Sequence, residues 1–231
     1  MSWFSRITRF GSGHMVRSQD QAMACAMSSI AMVNFKMKKG LMFAGVAAGA
    51  SISASPIPGA SYVGATLSSA AIDYAVKSEQ EIGKMYSAIE GKAHDFGTDG
   101  ADPTLYAQIL PKLGLGNWQY VDVGEAGFAQ AVVDAVADGT PVIGRVRWDA
   151  GGGHAVCIDQ THSFMGTTYL CVCDPWDGEL RLISCTPGST VKYDGSYNPI
   201  STGTFFGGTA HEYDATNNNK GKFFGGLVRQ A

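Results

Sequence analysis

Gln19-Asp-Gln-Ala-Met-Ala-Cys25-Ala-Met-Ser-Ser-Ile-Ala-Met-Val33 is the stretch on which the reading of this chain turns. From Cys25 onward its residues are small or apolar, without Gly or Pro, which predicts a helix over 24–38 that starts at the cysteine. Met27, Ile30, Ala31, Met32 and Phe35 are apolar on more than one face, so the helix is expected to be buried. Lys36, Lys38 and Lys39 fall in its expected last turn, and Gly40 reads as its stop. A cysteine at a helix N-terminus meets unpaired N–H groups and the positive end of the helix dipole, a setting that favours the thiolate. Gln19, six residues earlier, can offer a side-chain N–H to an oxyanion beside the sulfur. Taken alone, the stretch also fits a small buried cysteine in a core helix.

Upstream, residues 1–17 read as an arm. Trp3, Phe4, Ile7 and Phe10 recur at helical spacing and predict a short amphipathic helix docked on the body. Downstream, residues 41–71 are almost wholly Ala, Gly, Ser, Val, Ile and Pro. Gly45 and Gly49 make a small-xxx-small pair there, suited to close helix packing. We read this stretch as an insertion packed on the body, with a membrane-contacting element as the alternative. Residues 18–231 then form a single domain. A 3–4 residue rhythm predicts one helix over 66–89, and Asp102 is placed to cap a helix from Pro103 to Leu113. A strand is expected at Trp118–Val123 and a helix at Glu125–Ala137.

The period then changes. Pro141–Trp148, His154–Asp159, Thr168–Cys173 and Glu179–Ser184 read as strands separated by turn signals, with further strands at Thr202–Phe206 and Lys222–Val228. Helices first and strands second imply an α+β fold with an antiparallel sheet.

Composition narrows the function classes. The 231 residues, 45% hydrophobic, suit one large domain or one domain with an insertion. A net charge of −3 gives no basic footprint for nucleic acid. Five cysteines with no CxxC pair support neither a disulfide framework nor a zinc site of the usual spacing, so no metal and no cofactor is expected. Cys171 and Cys173, two apart in a strand, should share a face as core filler. No secretory h-region is visible, and the longest apolar run, Leu41–Ala50, is shorter than the roughly 20 residues of a membrane span. HExxH, GxSxG and Walker patterns are absent, leaving zinc peptidase, serine hydrolase and P-loop readings without support.

Two features of the strand half answer the cysteine. Gly151-Gly-Gly-His154 puts a histidine at the head of an apolar strand, where a second backbone can approach. Cys173-Asp174-Pro-Trp-Asp-Gly178 ends the following strand in an aspartate and a turn. An antiparallel hairpin of the two strands brings Asp174 back toward His154. Cys25 would then be the nucleophile, His154 the base and later acid, and Asp174 the group that orients the imidazole. Gln19 and the Cys25 backbone N–H would form the oxyanion hole. Gln21 rivals Gln19; His14, His94, His162 and His211 rival His154.

Gln19 with Cys25, Gly153-His154-Ala-Val, and Cys173-Asp174-Pro-Trp-Asp-Gly178, in that order, resemble the papain-like cysteine peptidases of the bacterial C39-like and AvrRpt2-like type. The resemblance covers residues 18–185. It implies a papain-like fold, with an N-terminal helical half bearing the cysteine packed on a C-terminal antiparallel sheet bearing histidine and aspartate. It implies a thiol protease acting on a protein or peptide. The same apparatus serves a glutamine deamidase, a transglutaminase-like enzyme or a peptidoglycan amidase, and a catalytically silent member would be a binding module. Ala24 and Ala26 flank Cys25 where the family often has an aromatic residue or glycine, and the stretch 41–71 has no counterpart. The likeness to AvrRpt2-like effectors points to an effector or toxin, cytoplasmic in its producer and exported without a signal peptide by a specialised secretion system. An immunity or chaperone protein would be its partner.

Overall fold

The computed structural model describes residues 3–196, 204–205 and 217–231. Its first element corrects the expectation of an amphipathic helix in the arm. Strands β1 (Trp3–Ile7) and β2 (Gly13–Arg17) form a hairpin in which Phe4 pairs with Val16. A helix this short is marginal in water. The strand instead satisfies its backbone in the ladder and splits its side chains between two partners. Trp3 lies against Phe35 at 5.2 Å, while Arg6 is buried and donates from Nε to the Gly178 carbonyl at 2.9 Å.

Helix α1 starts at Cys25 as expected but runs to Ser53, passing straight through Gly40. The expected stop fails because α2 (Ala60–Ala75) folds back along the distal part of α1 and supports it. Here the small residues have a mechanical use. A Cβ added at Gly49 would stand 2.1 Å from Ser68 Oγ, and one at Gly64 2.2 Å from the Gly49 carbonyl oxygen, so only glycine lets the two backbones approach this closely. The stretch from 40 to 72 carries no charged residue. No helix among the described residues is long and apolar enough to cross a membrane.

The helix predicted over 66–89 is two helices, α2 and α3 (Glu79–Glu90). Ser78 and Glu81 divide them with a capping box, each side chain bonding the other's backbone N–H, a start signal that outweighs the continuing apolar rhythm. Helix α4 (Pro103–Lys112) begins as expected, with Asp102 accepting from the Thr104 N–H at 2.9 Å.

Strand β3 (Trp118–Asp122) and helix α5 (Gly124–Val136) lead into β4 (Val142–Trp148), β5 (Gly153–Phe164), β6 (Thr167–Asp174), β7 (Glu179–Cys185), β8 (Lys192–Asp194), β9 (Thr204–Phe205) and β10 (Lys220–Gln230). Strand β9 pairs with β1; the rest of the strand expected at Thr202–Phe206 lies outside the described residues. The main sheet is antiparallel, in the order β3-β10-β4-β5-β6-β7, with β8 beside β10. It is covered on both faces. Ala155, Cys157, Cys171 and Cys173 join the core built on α1 and α4, whereas Val156, Ile158, Leu170 and Val172 join the core built on α5. The fold is therefore α+β.

The β5–β6 ladder carries one irregularity. Along β5 and β6 the pairs run Cys157–Cys173 and Ile158–Val172, then Gln160–Cys171. Asp159 is the extra residue of a β-bulge, and every β5 side chain beyond it is turned to the opposite face from the one simple alternation would give.

Candidate active site

The register of β5 and β6 places Asp174 opposite Val156, on the same face as His154 and two residues away. The side chains close that gap, with His154 Nε2 2.6 Å from Asp174 Oδ1. Nδ1 is left as the ring nitrogen available to a second partner. Cys25 lies near enough to act on this ring and favours its charged form. Burial works against a charge on His154, but the Asp174 carboxylate and then Cys25 overcome it and raise the imidazole to about 10. Asp174 therefore favours the charged form of the ring despite its burial.

Helix α1 brings the sulfur to this point. Its N-cap residue is Ala24, which has no side-chain acceptor, so among the described residues no N-cap side chain takes the N–H groups around Cys25. Ser29, one turn on, donates to the Ala155 carbonyl at 3.1 Å and ties the helix to the histidine strand. All five cysteines are free thiols; Cys25 is partly exposed, while Cys157, Cys171, Cys173 and Cys185 are buried. Cys25 is thus the one thiol that is not buried, and it is the thiol whose presence favours the charged form of His154. No protein-family model matches this chain, and no curated protein matches it either.

Asp174 is fully buried and richly bonded. Its Oδ1 also accepts from the Trp176 N–H at 2.8 Å; its Oδ2 accepts from Tyr193 Oη and, at 3.0 Å, from Asn217 Nδ2. Arg181 Nη1 stands 3.1 Å from the same oxygen. Burial alone would lift this carboxyl, but His154 and Arg181 hold it well below the usual carboxylate range. Trp148 stacks on the imidazole at 5.2 Å with its plane 21° away, and Trp176 meets it edge-on at 6.0 Å. Two indoles and a tyrosine therefore shield the ion pair, which strengthens it by excluding water.

Gln19 departs from expectation. Its side chain is fully buried, and its amide nitrogen donates to the Gln21 carbonyl at 3.0 Å and the Ala22 carbonyl at 2.9 Å. Its backbone N–H donates to Pro175 O at 2.7 Å. The turn into α1 leaves those carbonyls facing inward, where they need donors. In this geometry Gln19 braces the turn and ties it to the Asp174 loop, with both amide hydrogens engaged away from any oxyanion. Gln21 is exposed and lines a cavity of about 670 Å³ between this turn and α3, together with Asp20, Lys84, His94 and Phe96.

The rival histidines are occupied elsewhere. His94 bonds Glu90 and the Asp99 carbonyl, and His14 and His162 meet at Ser12. His211 lies outside the described residues. Sequence reasoning missed Trp148, Arg181, Tyr193 and Asn217. Trp148 carried a readable signal, as an aromatic ending the strand just before the glycine loop. Tyr193 and Asn217 carried none, because only folding brings them to Asp174.

Proposed function

We propose that the protein is a papain-like cysteine peptidase, or a close thiol acyl-transfer enzyme, acting on an amide bond. The observation that carries this reading is the ordered set Cys25, His154, Asp174: a partly exposed thiol at a helix start, acting electrostatically on an imidazole that a buried carboxylate holds at Nε2. The Cys25 thiolate attacks the amide carbonyl carbon, and the carbonyl π electrons move to oxygen. The first-turn N–H groups of α1 stabilise that oxyanion. His154 gives its Nδ1 proton to the departing nitrogen as the C–N bond breaks, leaving a thioester on Cys25. Water then attacks the thioester with His154 as base, releasing the acid and restoring the ion pair. Asp174 stays ionised throughout and orients the ring. A peptide nitrogen leaving gives proteolysis, ammonia leaving from a glutamine gives deamidation, and an amine replacing water gives transfer.

The catalytically silent alternative is separated by chemistry at the thiol. Peptide mapping after a short iodoacetamide pulse should find Cys25 alkylated before the four buried cysteines, and Cys25→Ala should abolish turnover of a peptide library while folding normally. Equal labelling of all five thiols, or undiminished turnover in Cys25→Ala, would refute the enzyme reading.

A further inference from the structure

A second constellation lies at the other end of β5 from the His154 site. His154 and His162 are eight residues apart on one strand, roughly 26 Å at about 3.3 Å per residue. Around His162, the Nε2 or Nδ1 atoms of His14 and His162 and the sulfur of Cys171 all lie within 4.8 Å of one another. These residues come from three strands. His14 is on the N-terminal hairpin, His162 on β5 and Cys171 on β6.

The arrangement around them has the form of a metal site with its outer support in place. His14 Nδ1 bonds the Asp159 carboxylate at 2.8 and 2.9 Å, which fixes the tautomer and leaves the Nε2 lone pair facing inward. Ser12 Oγ stands 2.9 Å from His14 Nε2, 2.9 Å from His162 Nε2 and 2.8 Å from Thr8 Oγ1, so both imidazoles converge on one small oxygen. The bulge at Asp159 serves both parts. It supplies the carboxylate behind His14, and it turns His162 onto the face that Cys171 shares, where an unbulged strand would have aimed His162 at the α5 side. Lys36 pairs with Asp159 and lies 3.5 Å from the Cys173 sulfur, which occupies that neighbouring thiol and leaves Cys171 as the sulfur donor.

We propose that His14, His162 and Cys171 bind a zinc-class divalent cation, with Ser12 Oγ or water as fourth donor and Asp159 as the support of His14. Two imidazoles and one thiolate suit a borderline-soft tetrahedral ion. Zn–N bonds of about 2.0–2.1 Å and a Zn–S bond of about 2.3 Å put tetrahedral ligand atoms roughly 3.3–3.7 Å apart, so the three donors need to close by only about 1 Å. The Cys171 thiol proton leaves to solvent as the metal–sulfur bond forms. The ion would clamp the β1–β2 hairpin to the β5–β6 hairpin. Since β2 runs directly into the Gln19 turn, it would also hold the approach to Cys25 at a distance, without touching the reacting atoms.

Cobalt(II) titration of the chelator-stripped full chain tests this without any activity assay. One equivalent should produce a thiolate-to-cobalt charge-transfer band and tetrahedral visible bands, both displaced by zinc. The Cys171→Ala variant should lose the charge-transfer band, while Cys173→Ala and Cys25→Ala keep it. His162 is only partly buried, so His162→Gln should fold and weaken cobalt binding by at least about 10-fold. Absence of any band at micromolar cobalt, a band that survives Cys171→Ala or vanishes in Cys25→Ala, or unchanged affinity in His162→Gln would overturn the proposal.

Discussion

Replacing Asp174 by asparagine removes one charge from the centre of the buried network while nearly preserving its shape. In the wild type, His154 titrates at about 10 against an ordinary value of 6.5, chiefly because Asp174 opposes the burial cost. That difference corresponds to on the order of 5 kcal/mol of favourable interaction with the protonated ring. Breaking one partner out of a buried ion pair costs about 3–5 kcal/mol by a separate route. We therefore expect Asp174→Asn to lose about 3–5 kcal/mol of unfolding free energy at pH 6, measured by urea denaturation. The pH profile is the sharper readout. A group whose folded pKa is raised contributes fully below its unfolded value and loses that contribution as pH rises toward the folded value. Wild-type stability should accordingly fall between pH 6.5 and about 10 through His154. Asp174 has the opposite sign: its contribution is present above its ordinary 3.8 and is lost as pH falls below that value. In the variant the fall above pH 6.5 should disappear, because burial without a carboxylate depresses the imidazole instead. Turnover should drop by roughly 10²–10⁴-fold. A variant that keeps both the wild-type stability and the wild-type alkaline fall would refute the coupling of His154 to Asp174.

Other perturbations bear on the framework. Gly64→Ala would ordinarily gain up to about 1 kcal/mol of helix propensity, but its Cβ would collide with the Gly49 carbonyl. Net destabilisation of about 1–3 kcal/mol, with faster hydrogen exchange confined to α2 and distal α1, is expected; slower exchange there would show that the helices do not pack this closely. Ser78→Ala removes the capping box and should cost about 1 kcal/mol in thermal or chemical unfolding. Tyr193→Phe deletes one donor to the Asp174 carboxylate; about 1–3 kcal/mol of stability should be lost, together with an acid limb of activity moved to higher pH, and an unmoved limb would count against the bond.

Local order determined much of this protein. Cys25 at a helix start followed from a run of small and apolar residues, the α4 cap from Asp102-Pro103, and the strand half from its period of two. The closeness of His154 and Asp174 was also legible, because a hairpin converts sequence order into spatial register. Where sequence reasoning failed, two local solutions were close in energy and a distant partner chose between them. The arm spaced its apolar residues as a helix would, yet pairing with β2 and the reach of Arg6 to Gly178 made it a strand. Gly40 reads as a stop until α2 supports the helix beyond it. Gln19 was the oxyanion donor that the family resemblance implied, but two inward carbonyls claim its amide. Register decided the rest. A single bulged residue at Asp159 reverses the facing of everything after it, and no local preference announces such an insertion. Tyr193 and Asn217 reach Asp174 from positions 19 and 43 residues away, a proximity fixed by chain topology rather than by neighbouring sequence.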